Sequence, residues 1–242
     1  MVKLQNNDDF VANAALFLAS AGVGVIIGLV LLTLWLAESA GIVDTAVLRD
    51  TLGITAKTAW YFSRSSGTVA YLLLAGSTIW GLLLSTKLIK EQVPAALSLG
   101  MHNLLSWLAI FLTGLHALVL LADSYFTYTA ANLLVPFTGP YRPGWVGLGI
   151  ISFYLMVLTS GSFYVRKRIG QKMWRRLHYL TFAAYLLATF HGVQAGTDSG
   201  NLGMQLIYWG SGLVVLFLVN YRLVAGKVAT RRRSSQRSAA NG

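Results

Sequence analysis

There is no cysteine in this chain. Its absence removes disulfides, iron-sulfur clusters, thiolate metal sites and the C-x-x-C-H attachment of c-type haem, so any redox centre must rest on histidine or lack a covalent link. Acidic residues are scarce, 8 against 19 lysines and arginines, and charge of both signs makes up only 11% of the chain. With 55% hydrophobic residues and a mean hydropathy of +0.61, most of this polypeptide has lipid as its solvent. Proline is rare too. Three of the 4 prolines sit together in PFTGPYRP, residues 136–143, which leaves the long apolar runs unbroken.

A membrane span needs about 20 apolar residues. Six stretches qualify, near residues 11–36, 67–86, 95–122, 145–164, 174–195 and 203–222, which predicts an all-α, six-helix transmembrane bundle. The first is too long for the apolar region of a signal peptide, and its leader MVKLQNNDDF carries more acid than base, so it reads as a retained span. The organisation that follows is a terminus at 1–10, a six-span domain at 11–222 and a basic tail at 223–242. The outer loop from Glu38 to Gly67 is long enough for a surface helix, and PFTGPYRP reads as a stiff irregular connection. GVGVIIG in the first span has the wrong spacing for a dinucleotide fingerprint and reads as close helix packing through Gly24 and Gly28. No internal repeat stands out.

The net charge of +11 raises the question of a nucleic-acid partner, and its distribution answers it. Every lysine and arginine except Arg49, Lys57, Arg64 and Arg142 falls on the side shared by both termini and the second and fourth loops. By the positive-inside rule the N and C termini are expected in the cytoplasm. The location expected is that of an integral, multi-pass protein of a bacterial cytoplasmic membrane. The run RRRSSQR then reads as a disordered, lipid-facing tail, with no nucleic acid as partner.

All 4 histidines fall within the expected spans, two on the third and two on the fifth. Ionisable groups are costly in a bilayer and commonly functional there. His102 and His116 are 14 residues apart, about 40° short of four turns, so they share a helix face roughly 21 Å apart along it. His178 and His191 are 13 apart, about 140° short of four turns, so the fifth helix must be overwound or bent, or its ligands must approach from different azimuths. The third and fifth spans run parallel, which pairs His102 with His178 near the cytoplasm and His116 with His191 nearer the outside. Two such pairs, stacked about 20 Å apart, suit two haem b groups. Zinc suits them less, because a structural zinc site wants four clustered ligands. The bland alternative is four interhelical hydrogen-bond donors.

Several segments carry a family resemblance: MHNLLSWLAIFLTGLHALVLLADSY, YRPGWVGLGIISFYL and RKRIGQKMWRRLHYLTFAAYLLATFHGVQAGTDS. Through them the chain resembles the ferric reductase-like transmembrane family. That family is related to the membrane domains of NADPH oxidases and to the haem subunit of bacterial methionine sulfoxide reductase systems. The resemblance implies six helices carrying two b haems on the four histidines, with the same 14 and 13 spacings, and it implies that Arg64 faces the outer haem. Arg175 and Arg176, one turn before His178, pair with haem propionates or act as positive-inside anchors. Trp107, Phe182 and Tyr185 lie between the two levels, either shortening an electron path or packing the bundle. Trp60, Trp80, Trp145, Trp174 and Trp209 fall near span ends and fit an interfacial belt.

Relatives of the reductase type continue into a flavin and nicotinamide domain, while this chain stops about 20 residues past its last span, so it reads as an oxidoreductase-type electron-transfer subunit without its own hydride acceptor. The donor expected is a cytoplasmic flavoprotein reductase or a membrane quinol. The acceptor is ferric iron, oxygen or a redox protein at the outer face. Competing readings are the haem subunit of a periplasmic methionine sulfoxide reductase and a transporter or scaffold with proton-relay histidines. Against the latter stands the lack of any Asp, Glu, Lys or Arg at mid-membrane.

Overall fold

A computed structural model of the chain describes residues 57–86 and 93–240, together with 33, 37, 38, 40, 41, 55 and 88. Apart from residue 33, the first expected span, with Gly24 and Gly28, lies outside the described residues, as do residues 1–10 and about half of the loop after that span. Among the described residues the chain is all helical, without strands.

The main elements are α1 (Thr58–Thr86), α2 (Ala95–Leu118), α3 (Ala130–Leu134), α4 (Pro143–Ile169), α5 (Gln171–His178), α6 (Leu180–Ala195) and α7 (Leu202–Ala240). A 3-10 turn, Val119–Ala122, extends α2. Four of these are long and apolar enough to cross a membrane: Thr58–Thr86, Ala96–Ala122, Pro143–Ile169 and Leu202–Ala225. They belong to one unit, Ala56–Gly242, and Met1–Thr55 forms another.

Three boundaries differ from the sequence expectation. Helix α1 begins nine residues before 67, because TAWYFSRSS has no proline or glycine to stop it and its polar residues find partners inside the bundle. The fifth stretch is not one helix. It breaks at Tyr179, where Phe182 N–H donates to Tyr179 O at 3.1 Å in an i→i+3 turn tighter than an α-helix. Helix α7 runs on through the basic residues to Ala240, in a segment without proline whose late arginines suit the negative end of a helix.

Small residues let the helices approach closely, as expected where hydrophobicity alone cannot drive association in lipid. Ala109 and Ala184 are fully buried, and Ser152 Oγ donates to Ala184 O at 2.8 Å, tying α4 to α6. Around them pack Tyr71, Leu74, Leu82, Met156, Tyr185, Val215 and Leu218. Outward-facing Trp209, Leu213 and Phe217 on α7 are more than 60% exposed, which fits a lipid solvent. Helix α1 packs on α2, α6 and α7, and α4 packs on α2, α5 and α6, whereas α2 and α6 make no comparable contact with each other. The histidines face one another across that gap.

The connection from Asp123 to Arg142 is irregular, as the prolines require. Its one short helix, α3, is capped by Thr129, whose Oγ1 accepts from Asn132 N–H at 3.3 Å while Asn132 Oδ1 takes the Thr129 N–H at 3.0 Å. Arg142 adopts φ 39° just before Pro143 opens α4, and its guanidinium donates to Gln194 O.

Candidate histidine site

The four histidines form two facing pairs. His102 and His178 have ring centroids 6.0 Å apart with planes at 76°, and His116 and His191 have centroids 6.1 Å apart at 72°. We refer to these as the first and second levels. The pairing means that α2 and α5/α6 run in the same direction. The break at Tyr179 also separates the two histidines of the fifth stretch, with His178 ending α5 and His191 inside α6.

Three of the rings are fixed from behind in one way. His102 Nδ1 lies 3.1 Å from Ser77 O, His116 Nδ1 2.8 Å from Ser63 O, and His191 Nδ1 3.1 Å from Trp145 O. A carbonyl only accepts, so each Nδ1 carries the proton and each Nε2 keeps its lone pair for whatever lies in the gap. This is the arrangement usual behind metal-bound imidazoles.

Each of these carbonyls belongs to a residue four positions before a glycine, and the glycine lies against the ring. A Cβ at Gly67 would stand 2.8 Å from His116 Nδ1, one at Gly81 3.1 Å from His102 Cε1, and one at Gly149 2.9 Å from His191. One helical turn with a bare glycine lets the imidazole approach the backbone and reach the carbonyl a turn earlier. On α1 the device occurs twice as Ser-x-x-x-Gly, Ser63/Gly67 and Ser77/Gly81. Its spacing of 14 equals that of His102 and His116 on the neighbouring helix. That repeat was the sequence signal for residues the sequence reading passed over. Gly192, beside His191, serves another purpose: Tyr208 fills the space where its Cβ would be, with Oη 2.5 Å away.

His178 differs. Among the described residues no hydrogen bond reaches its ring. It stacks instead on Trp174, centroids 5.3 Å apart and planes at 22°. Both first-level histidines border a cavity of about 380 Å³ lined also by Asn103, Trp107, Phe182, Arg175 and Arg222.

Two imidazoles binding one metal from opposite sides, at about 2.0–2.1 Å per bond, have centroids roughly 6–6.5 Å apart once a ring radius is added on each side. Both pairs meet that separation, with Nε2 free in the three rings whose Nδ1 is fixed. Among the described residues, no three side chains of the metal-ligating types cluster. The donor set therefore suits a group that brings its own equatorial ligands, as haem does, and does not suit a closed zinc site.

The other sequence candidates divide. Arg64 lies beside Ser63 at the second level, but its guanidinium is engaged: Nε donates to Asp198 Oδ2 at 2.6 Å, the pair forms a salt bridge, and the cation sits 4.0 Å over the Trp60 ring. Arg175 borders the first-level cavity, while Arg176 is exposed and does not. Arg222 borders it too, within 3.3 Å of Tyr179 Oη, and was missed because it reads as one more positive-inside anchor. Trp107 is half-buried, 6.2 Å from Tyr164, and lines the cavity.

Tyr185 is buried within a hydroxyl cluster in which Tyr71 Oη lies 3.3 Å from Tyr185 Oη, 3.2 Å from Thr189 Oγ1 and 2.8 Å from Ser211 Oγ. The tryptophans do more than line an interface. Trp80 Nε1 donates to Ser98 O at 2.9 Å, Trp145 holds His191 and Trp174 backs His178.

Comparison of the chain with protein-family models, with characterised proteins and with solved structures gave no match.

Proposed function

We propose that this chain is a six-span, di-haem b electron-transfer protein of the ferric reductase-like kind, taking electrons from a cytoplasmic or membrane donor and delivering them to an outer-face acceptor. The observation that carries the reading is the matched geometry of the two histidine pairs, 6.0 and 6.1 Å apart. Bound there, haem b supplies reversible one-electron chemistry at its iron.

The chain's own residues do the rest. His102 and His178 hold the inner group, and His116 and His191 hold the outer one. Ser63, Ser77 and Trp145 fix the tautomer of three of these ligands through their carbonyls, and Gly67, Gly81 and Gly149 make room for the rings. Arg175 and Arg222 border the inner cavity with the charge that propionates require. Arg64 is held by Asp198 at the outer level, where it contributes positive charge beside His116. Two haems stacked at the two histidine levels would span much of the bilayer, so a donor below and an acceptor above need no other resident centre.

The donor is a flavoprotein reductase or a quinol, and the acceptor ferric iron, oxygen or a redox protein. A proton relay is less well supported, because the paired rings face one another across a gap and are not hydrogen-bonded together.

The purified protein should carry two haem b per chain, counted by pyridine haemochrome against protein concentration. His116→Ala and His191→Ala should each cost one haem, and His102→Ala the other. A preparation without haem absorbance, or haem content untouched by all three substitutions, overturns the reading. Reduction by quinol compared with reduction by NADPH and cytosol then separates the donors.

A further inference from the structure

Three of the four histidine rings are locked from behind by a backbone carbonyl, and the fourth is not. Residues behind a metal-bound histidine typically account for 10–100-fold in metal affinity. On that ground alone His178 is the weakest of the four ligands.

Its position on a short, lightly packed helix adds to this. Helix α5 has eight residues, none of them buried. It is bounded by Gly170, whose φ of 80° is a conformation open to glycine, and by the break at Tyr179. Besides its packing on α4, α5 is held near His178 by Trp174 edge-on to Phe163 at 6.2 Å and by Tyr179 Oη taking a hydrogen bond from Arg222 at 3.3 Å. His178 borders the first-level cavity, which it shares with His102. Asn103, Arg175 and Arg222 also line that cavity, and among the described residues the buried indole N–H of Trp174 has no hydrogen-bond partner.

We propose that His178 is an exchangeable ligand carried on α5 as a hinged lever. When it withdraws, the inner iron position opens to a small anionic or neutral ligand of the size of cyanide, while the outer level stays closed between two carbonyl-locked histidines. The inference rests on the haem reading above. It departs from that reading in making the two levels unequal, one a fixed relay and the other a ligand-binding centre on the cytoplasmic side.

The test uses the full chain in detergent, oxidised, with haem counted first. Cyanide is added over a range of concentrations and the Soret shift is followed by stopped flow. One of the two haems should bind cyanide, at a rate that saturates with concentration because withdrawal of His178 limits it. In His178→Ala the same haem should bind without saturation. Trp174→Ala, which removes the ring backing and the contact with Phe163, should raise the saturating rate about tenfold, and this variant keeps the test decisive if His178→Ala does not fold.

Two haems with no cyanide phase, cyanide at both haems of the unaltered protein, or a saturating rate unchanged by both His178→Ala and Trp174→Ala each overturn the inference and leave the haem reading standing. A chain without haem overturns both.

Discussion

Gly67 and His116 stand so close that a methyl group on the glycine would lie 2.8 Å from Nδ1 and 3.0 Å from Cε1 of the imidazole. The helix carrying one is thereby registered against the helix carrying the other. On the proposed di-haem reading, Gly67→Ala should displace the ring from Ser63 O and weaken haem retention at the second level about 10–100-fold. Gly81→Ala should act in the same direction at the first level. Gly76→Ala is the control, since a Cβ there meets nothing within 4 Å. It should leave haem content unchanged and stabilise the helix by up to about 1 kcal/mol. Haem titration and thermal unfolding of the three variants in one detergent separate these outcomes.

The Arg64–Asp198 pair invites an overestimate of its strength. Its side chains are 27% and 31% exposed, so solvent screens it and its loss should cost less than about 1 kcal/mol. Asp198→Asn should therefore barely move the unfolding midpoint. It should also remove part of the salt dependence of that midpoint, which measurement at low and high ionic strength will show.

Tyr71 is the hub of the hydroxyl cluster that joins α1, α6 and α7. Tyr71→Phe removes three contacts at once, and Ser211→Ala leaves Tyr71, Tyr185 and Thr189 still joined. Interhelical hydrogen bonds in membranes contribute about 0.6 kcal/mol on average and about 1.7 at most. Tyr71→Phe should fall toward the upper value and Ser211→Ala toward the lower, measured by unfolding in mixed micelles. Equal effects would count against a hub.

Tyr128 lies in the connection between α2 and α4, outside the spans, and its phenol is pushed up to about 12, first by burial and then by Asp123 and Tyr141. An ordinary phenol ionises near 10. Because the folded protein holds this proton more tightly than the unfolded chain, the contribution is complete below about pH 10 and fades as pH rises toward 12. Tyr128→Phe should flatten the loss of stability in that window and delete a late step from the phenolate absorbance titration. A phenolate step lost near pH 10 instead would contradict the burial argument.

What could be read from the sequence was what depends on composition and on one helix at a time. Apolar length marked the four membrane-long helices, and the spacing of 14 placed His102 and His116 on one face. The 13-residue spacing left open whether the fifth stretch is distorted or its two histidines point to different azimuths, and it gave no place for a break. Tyr179 became the break because the chain turns there from the polar QKMWRRLH of α5 to the apolar α6. The glycines were invisible for a different reason. Glycine in an apolar helix is ordinary, and it acquires meaning only when a ring on a neighbouring helix lies against it. Arg64 looked like a free cation because its partner, Asp198, is 134 residues away.

The sequence by itself determined the solvent, the helical class and the two pairs of histidines, since those follow from hydropathy, the absence of cysteine and the period of a helix. Only the tertiary structure decided which carbonyl stands behind each ring, and that His178 has none, because a contact between helices depends on their register and rotation. Neither property is contained in either helix alone.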